Sequence, residues 1–273
     1  MRKNVLKDKM LRGERTTNGW CAFGSSYSAE LLGHAGFDSV TVDMQHGMFD
    51  FTQVLPMLQA LSATPAVPVV RVPWNDTAVI MHVLDAGAYG VICPMINNRA
   101  EAERLVAACR YAPVGMRSYG PARGLMFGGP DYFDHANAEI LVFAMIETID
   151  GINNLDDILA TPGLDGVYIG PNDLALVLGA RPGTDLTEPK CIDTIAHILA
   201  RAQAHQKFAG IFCASGAVGA IRRKQGFHLV TLSHEGSYLS QTAKAHVAAA
   251  LAEPAAPSAA SGDTSIMKPS TGY

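Results

Sequence analysis

Eight short runs of apolar, β-branched or aromatic residues recur along the chain, each followed by a stretch of helical periodicity. The runs are Trp20–Gly24, Phe37–Met44, Val67–Val72, Tyr89–Met95, Ile140–Glu147, Leu164–Gly170, Phe208–Ala214 and Phe227–Ser233. Continuous apolar strands alternating with helices imply a parallel sheet covered on both faces. The helices carry their own stop and start signals. SAELLGHAG opens on a capping Ser28 and stops at Gly36, and DTAVIMHVLDAG opens on Asp76. Eight such units closed into a barrel need about 250 residues, and the chain has 273. The competing open, doubly wound sheet usually carries a glycine-rich phosphate turn after its first strand. Here that turn reads GSSYSAE. The expectation is therefore an α/β chain, a single-domain (β/α)8 TIM barrel over residues 1–252, with an N-terminal helix and a C-terminal packing helix. The low-complexity stretch 253–273 is expected to be a disordered tail.

Composition narrows the function classes. Hydrophobic residues make up 48% of the chain, enough for a sizeable core. Twenty-one basic against twenty-five acidic residues leave a net charge of −4, which offers no footprint for nucleic acid or an anionic membrane surface. The uncharged stretch between Asp50 and Arg71 contains Pro56, Pro65 and Pro68 and does not read as a membrane span. The N-terminus stays charged, without the apolar core of a signal peptide. Cys21, Cys93, Cys109, Cys191 and Cys213 are odd in number and widely spaced. They read as buried free thiols of a cytoplasmic protein. Between the fourth helix and fifth strand, YAPVGMRSYGPARGLMFGGPDYFDHANAE reads as a long loop, a functional lid or a subunit contact.

In a parallel barrel the active site lies at the C-terminal ends of the strands. Strand two ends in Asp43-Met44-Gln45-His46, strand three in Arg71, strand five in Glu147-Thr148, and strand six in Gly170-Pro171-Asn172-Asp173. Glu147 and Asp173 could hold a hard divalent cation through oxygen and leave positions open for substrate. The bland alternative makes each of them a helix cap. Arg71 offers a planar cationic fork suited to a carboxylate or an enolate oxygen. His46 can act as acid or base, directly or through a metal-bound water, with Asp85 of VLDAGA as a candidate orienting carboxylate. None of the eight lysines ends a strand, which disfavours a Schiff base, and Lys207 precedes strand seven on the wrong rim. A phosphate-binding P-loop and an H-E-x-x-H zinc motif are both lacking. His34, His82, His197 and His205 fall within helices and read as surface or packing residues.

Taken in order, FDSVTVDMQHG, VPVVRVPWND, VLDAGAYGVICPM, YAPVGMRSYG and MIETIDGINNLDDILATPGLDGVYIGPNDLALVLG resemble the HpcH/HpaI aldolase family of class II pyruvate-dependent aldolases, over residues 18–250. The resemblance implies cleavage or formation of the C3–C4 bond of 4-hydroxy-2-keto acids with Mg²⁺, Mn²⁺ or Co²⁺. It makes Glu147 and Asp173 the metal ligands, and Arg71 the group that binds the keto or enolate oxygen. His46 paired with Asp85 would move the proton, Asp43 would support that region, and the turn Gly170, Pro171, Asn172 would offer backbone N–H groups to the acid. Gln45 stands where better-known members carry an acidic residue, and Met145 near a glutamine position. The D-M-Q-H stretch looks closest to hydroxypyruvate-accepting members. The family also implies a homo-oligomer, a hexamer built as a trimer of dimers, with the helix near Ala243–Ala252 packing between subunits and Arg117 and Arg123 reaching substrate. The partners implied are small, a 2-keto acid and an aldehyde. Two rivals stand beside this reading: a CoA-ester lyase on the same scaffold, and a non-catalytic metal-binding barrel.

Overall fold

Valine and isoleucine dominate the strand runs because branched side chains suit a pleated surface buried on both faces. The computed structural model describes residues 1–183 and 186–252. Among them, eight strands form: β1 (Thr16–Cys21), β2 (Ser39–Asp43), β3 (Val67–Arg71), β4 (Gly90–Cys93), β5 (Leu141–Ile146), β6 (Gly166–Ile169), β7 (Phe208–Cys213) and β8 (Leu229–Leu232). Each pairs in parallel with its sequence neighbours, and β8 closes back on β1. Closure leaves no unpaired sheet edge. The chain is a single-domain (β/α)8 barrel, as the alternation predicts. The barrel lies within one compact unit, Met1–Tyr238, while the helix Glu235–Leu251 continues beyond it. The expected tail, 253–273, lies outside the described residues.

Alternate strand residues face opposite ways. Outward-facing Val40, Val42, Val70, Val142, Val167 and Ile169 are buried with Leu58, Leu84, Leu105 and Ile158 of the surrounding helices. Each such side chain contributes about 1.5–3 kcal/mol by leaving water. Inward-facing Val67, Val69, Leu141, Phe143 and Leu229 fill the barrel, and Leu6 and Met10 of the helix Val5–Leu11 complete that inner cluster. All five cysteines are free and buried.

Two sequence expectations are corrected here. Strand β1 starts at Thr16, ahead of the Trp20–Gly24 run, because its polar Asn18 points inward and is satisfied by side chains of β2 and β8. Asn18 donates to Thr231 Oγ1 (2.8 Å) and accepts from Ser39 Oγ (2.8 Å) and Thr41 Oγ1 (3.1 Å), while Tyr168 and Thr231 share a 2.6 Å hydrogen bond. Polar groups are tolerated in such a core when every one finds a partner. The segment read as one long loop contains two helices, Ala122–Gly128 and Tyr132–Glu139, at the N-terminal end of the barrel. There Asn4 donates to the carbonyls of Tyr89 and Glu139 and ties the chain start to it.

Candidate active site

The register of β2 against β3 sets Asp43 directly opposite Arg71 at the C-terminal rim. Arg71 donates Nε to Asp43 Oδ1 (2.8 Å) and Nη2 to Oδ2 (2.6 Å), a two-pronged fork that fixes the guanidinium plane. Asp43 also accepts from Trp20 Nε1 (3.1 Å) and from the backbone N–H groups of Gln45 (3.1 Å) and His46 (3.3 Å). Burial alone would raise the Asp43 carboxyl; hydrogen bonds and charge from Arg71, with help from Trp20 and the His46 amide, outweigh it and hold the group below its ordinary range. Arg71 Cζ lies 4.9 Å from the Trp20 ring centroid, adding a cation–π contact. The result is a cation whose orientation is set before any ligand arrives.

Glu147 follows β5 and is buried, with Oε1 accepting from the Met95 amide at 3.0 Å. Met95 adopts φ 56°, a left-handed conformation uncommon for a non-glycine residue. The other carboxylate oxygen abuts Gly170, where any Cβ would collide with it and displace the carboxylate. Burial pushes the Glu147 carboxyl up to about 7; Asp173 adds to the rise, and the Met95 amide and Arg71 oppose it. Asp173 sits in the first turn of the helix Pro171–Val177.

The capping alternative fails for both acids. The residue at the N-cap of Pro171–Val177 is Gly170, and Thr148, not Glu147, caps the helix Ile149–Asn153 by accepting from Gly151 N–H. Pro171 has no N–H, so the amides that this turn can offer a ligand come from its neighbours, Asn172 and Asp173 among them.

Asp43, His46, Arg71, Gly170, Pro171, Asn172 and Asp173 line a cavity of about 380 Å³, and Glu147 abuts Gly170 without itself lining it. The cavity's other wall is Trp20, Met145, Tyr168, Phe212 and His234, of which sequence reasoning singled out only Met145, as a departure from the family's pattern. Inward parity along β1, β5, β6 and β7 was the signal that could have found the first four. Gln45 does not line the cavity, and its Oε1 is buried without a hydrogen-bond partner.

The expected His46–Asp85 pair is not formed within the chain. Asp85 is the last residue of the helix Thr77–Asp85, which runs back from β3 toward the N-terminal rim, whereas His46 follows β2 at the C-terminal rim. Asp85 instead accepts from Arg117 Nη2 at 2.7 Å. Arg117 is buried and also donates to Tyr132 OH (3.0 Å), while Arg123 donates to Ala86 O (2.6 Å) and Ser62 Oγ (2.5 Å). Neither arginine reaches this cavity. Lys207 likewise sits on the opposite rim, donating to Leu164 O at 2.6 Å.

The donor set fits a divalent cation of open coordination. Glu147 and Asp173 bring two neighbouring carboxylates together, Glu147 is buried without a salt bridge among the described residues, and the nearby Arg71 is engaged with Asp43. No cluster of three or more His, Cys, Asp or Glu ligands occurs among the described residues, so substrate and water would complete the shell. Among the described residues no helix is long and apolar enough to cross a membrane.

Many known proteins are similar to this chain. The sequence profile of the HpcH/HpaI aldolase/citrate lyase family matches residues 19–242. A hydroxypyruvate/pyruvate aldolase of Rhizorhabdus wittichii is 43% identical over 249 residues, 91% of this chain and 99% of that protein. A 5-keto-4-deoxy-D-glucarate aldolase of Salmonella paratyphi C is 42% identical over 194 residues, 70% of this chain and 75% of that one. The crystal structure of an HpcH/HpaI aldolase/citrate lyase family protein from Burkholderia cenocepacia superposes with a TM-score of 0.85 at 32% identity, covering 91% of this chain and 100% of that one.

Proposed function

The chain belongs to the HpcH/HpaI aldolase/citrate lyase family and is a carbon–carbon lyase of the class II aldolase type, and from that premise we propose that it splits and forms the C3–C4 bond of 4-hydroxy-2-keto acids, yielding pyruvate or hydroxypyruvate and an aldehyde. The observation that carries this reading is the buried Glu147 carboxylate, raised to about 7 by burial and by Asp173, on the rim that also carries the clamped Arg71. A carboxylate pair of that kind is built for a cation. Glu147 and Asp173 would hold Mg²⁺, Mn²⁺ or Co²⁺, and the bound metal supplies Lewis-acid polarisation of the 2-keto acid.

The chain's own residues do the rest. Amides of the turn Gly170–Asn172, at the start of a helix, face the acid's carboxylate. Arg71, immobilised by Asp43, presents its remaining N–H groups to the keto oxygen and stabilises the charge that develops there. In cleavage, His46 takes the proton from the C4 hydroxyl. The C4–O electrons form the aldehyde carbonyl, the C3–C4 bond breaks, and its electron pair passes into the enolate beside Arg71. Protonation at C3 releases the keto acid, and the reverse sequence is aldol addition. Asp85 takes no part in this within one chain.

The homo-oligomer implied by the family, a hexamer, is supported by exposed Leu239, Val247 and Leu251 along the helix Glu235–Leu251. Five free buried thiols suit a reducing, cytoplasmic setting. The deciding assay is keto-acid release from 4-hydroxy-2-keto acids before and after EDTA, with Mn²⁺ or Mg²⁺ added back. Activity should vanish on chelation and return with metal. Turnover that survives complete metal removal would rule out the mechanism, and tight metal binding with no turnover would favour a non-catalytic barrel.

A further inference from the structure

A polar ring stands in an otherwise aromatic wall of the cavity. Around the rim, Asp173 after β6 is followed by Phe212 on β7, His234 just after β8, Trp20 on β1, Asp43 at the end of β2, His46 just after it, and Arg71 on β3. Phe212 meets Trp20 edge-on with centroids 5.5 Å apart, and Trp20 stacks on Tyr168 at 6.0 Å. His234 is set between these aromatic strand ends and is not needed for any step described above.

Local structure holds the ring from both sides. Ser233, immediately before it, adopts φ 71°, a left-handed conformation that L side chains adopt only when their surroundings impose it. Its N–H donates to Cys213 O at 3.0 Å. Immediately after it, the Glu235 carboxylate accepts from Ala22 N–H (2.9 Å), from Phe23 N–H and from Ser28 Oγ (2.6 Å), fastening this turn to the one that follows β1. A Cβ on Gly236 would lie 3.2 Å from both Nδ1 and Cε1, so the ring rests on the bare glycine backbone. Nδ1 is buried there without a hydrogen-bond partner among the described residues. Nε2 is the ring nitrogen left to meet a ligand in the cavity. A neutral imidazole has one donor and one acceptor nitrogen, and either complements a hydroxyl.

Bound geometry then selects the ligand group. With its carboxylate at the Gly170–Asp173 turn, its keto oxygen at Arg71 and both oxygens facing the Glu147 and Asp173 carboxylates, a 2-keto acid would direct C3 away from those carboxylates, toward the β7–β8–β1 wall. A methyl group there asks only for apolar contact. A hydroxymethyl group brings a hydroxyl into an aromatic surface and needs a partner. Resting on the aldolase reading, we infer that His234 is a donor-specificity residue, hydrogen-bonding a hydroxyl on C3 of the 2-keto acid so that hydroxypyruvate-class donors are taken in preference to pyruvate.

The test uses the full-length, Mn²⁺-loaded protein and propanal, an acceptor without a further polar group. Values of kcat/KM for hydroxypyruvate and for pyruvate in aldol addition are compared for wild type, His234→Phe and His234→Gln, with His234→Leu replacing the Phe variant should that one not fold. The ratio of hydroxypyruvate to pyruvate should fall about tenfold or more in the Phe variant, and Gln, which keeps a hydrogen-bonding group, should restore part of it. Parallel losses on the two donors, or an unchanged ratio in the apolar variant, would overturn the inference. Metal-dependent exchange of the C3 protons of pyruvate for deuterium, followed by NMR on wild type, separates the two levels. Its absence would overturn the aldolase reading and this inference with it, whereas exchange with no change in donor ratio overturns the inference alone.

Discussion

Replacing Glu147 by glutamine should stabilise the metal-free protein and abolish metal binding together. The Glu147 carboxyl has an ordinary value of 4.5 and is raised to about 7 in the fold, by burial first and by Asp173 as well. Between these two values the folded protein keeps a proton that the unfolded chain has released, so stability falls as pH rises through that window. The full penalty is reached above about pH 7 and amounts to at most ~3 kcal/mol. Glutamine keeps an oxygen for the Met95 amide and carries no charge to desolvate. In EDTA at pH 8, Glu147→Gln should therefore be more stable than wild type by up to ~3 kcal/mol, or about 6–12 °C in Tm for a domain of this size. Below pH 4.5 the advantage should disappear. Differential scanning calorimetry at pH 4.5, 6 and 8 reads this directly, because the difference between the two proteins cancels the titrating groups that are not coupled to Glu147. Isothermal titration with Mn²⁺ supplies the second measurement. Wild-type affinity should strengthen about tenfold per pH unit up to about pH 7 and then level off, since the ligand must be deprotonated. The variant should bind at least a hundredfold more weakly. A stability difference that does not change with pH would refute the assigned desolvation cost, and wild-type Mn²⁺ affinity in the variant would refute the metal site.

Three other substitutions separate the parts of the site. Arg71→Ala should lower kcat by about 10²–10³-fold with modest change in Mn²⁺ affinity, because it removes a donor aimed at developing charge; steady-state kinetics with metal titration checks this. Asp43→Asn should lower kcat about tenfold or more by loosening the fork that fixes Arg71, an effect to be read beside an unchanged fold by circular dichroism. Gly170→Ala drives a methyl group into the Glu147 carboxylate and should weaken Mn²⁺ binding at least tenfold while catalysis falls in proportion. One pH effect arises far from the site. His228 is lowered from 6.5 to about 4 by burial first and by the charge of Arg15, so the unfolded chain binds a proton in that window that the folded chain does not. Stability attributable to His228 should rise with pH from about 4 to 6.5 and be lost on acidification, and His228→Gln should flatten that slope in urea titrations.

The fold was legible because its signal is repeated. The strands β4 to β7 are runs of apolar residues with both faces buried, whereas β2 (Ser39–Asp43) alternates, its Ser39 and Thr41 turned into the barrel, and is legible through Val40 and Val42 within the longer run Phe37–Met44. The misplacement of β1 has a specific cause. Thr16, Thr17 and Asn18 look like a polar lead-in, yet Asn18 points into the barrel and is satisfied by Thr231, Ser39 and Thr41, which lie 213, 21 and 23 residues away. Hydrogen-bond satisfaction across such separations leaves no local trace. The same holds for Glu147 and Asp173, in the opposite direction. Both were legible as candidates because an acid at the end of an apolar run is conspicuous, but that neither caps a helix follows from Gly170 and Thr148 holding the cap positions instead.

His46 and Asp85 show where residue chemistry stops being informative. An imidazole and a carboxylate form a plausible pair on paper, but the rim rule that sets Lys207 aside also separates Asp85, at the end of the helix after β3, from His46. Strand ends and helix ends alternate rims in a βα barrel: a residue that closes β2 is at the catalytic mouth, while one that closes the helix after β3 is at the opposite end. Asp85 is accordingly matched to Arg117, and its neighbour Arg123 is occupied by carbonyl and hydroxyl oxygens near Ala86 and Ser62. The rule applies with equal force to Trp20, Phe212 and His234, which lie near the ends of β1, β7 and β8 and therefore at the mouth. Two of the three are apolar and resemble ordinary core until the barrel is closed. A site composed of acids, a cation and a base can be found by its charge, but the surface that distinguishes one small keto acid from another is found by position on the rim.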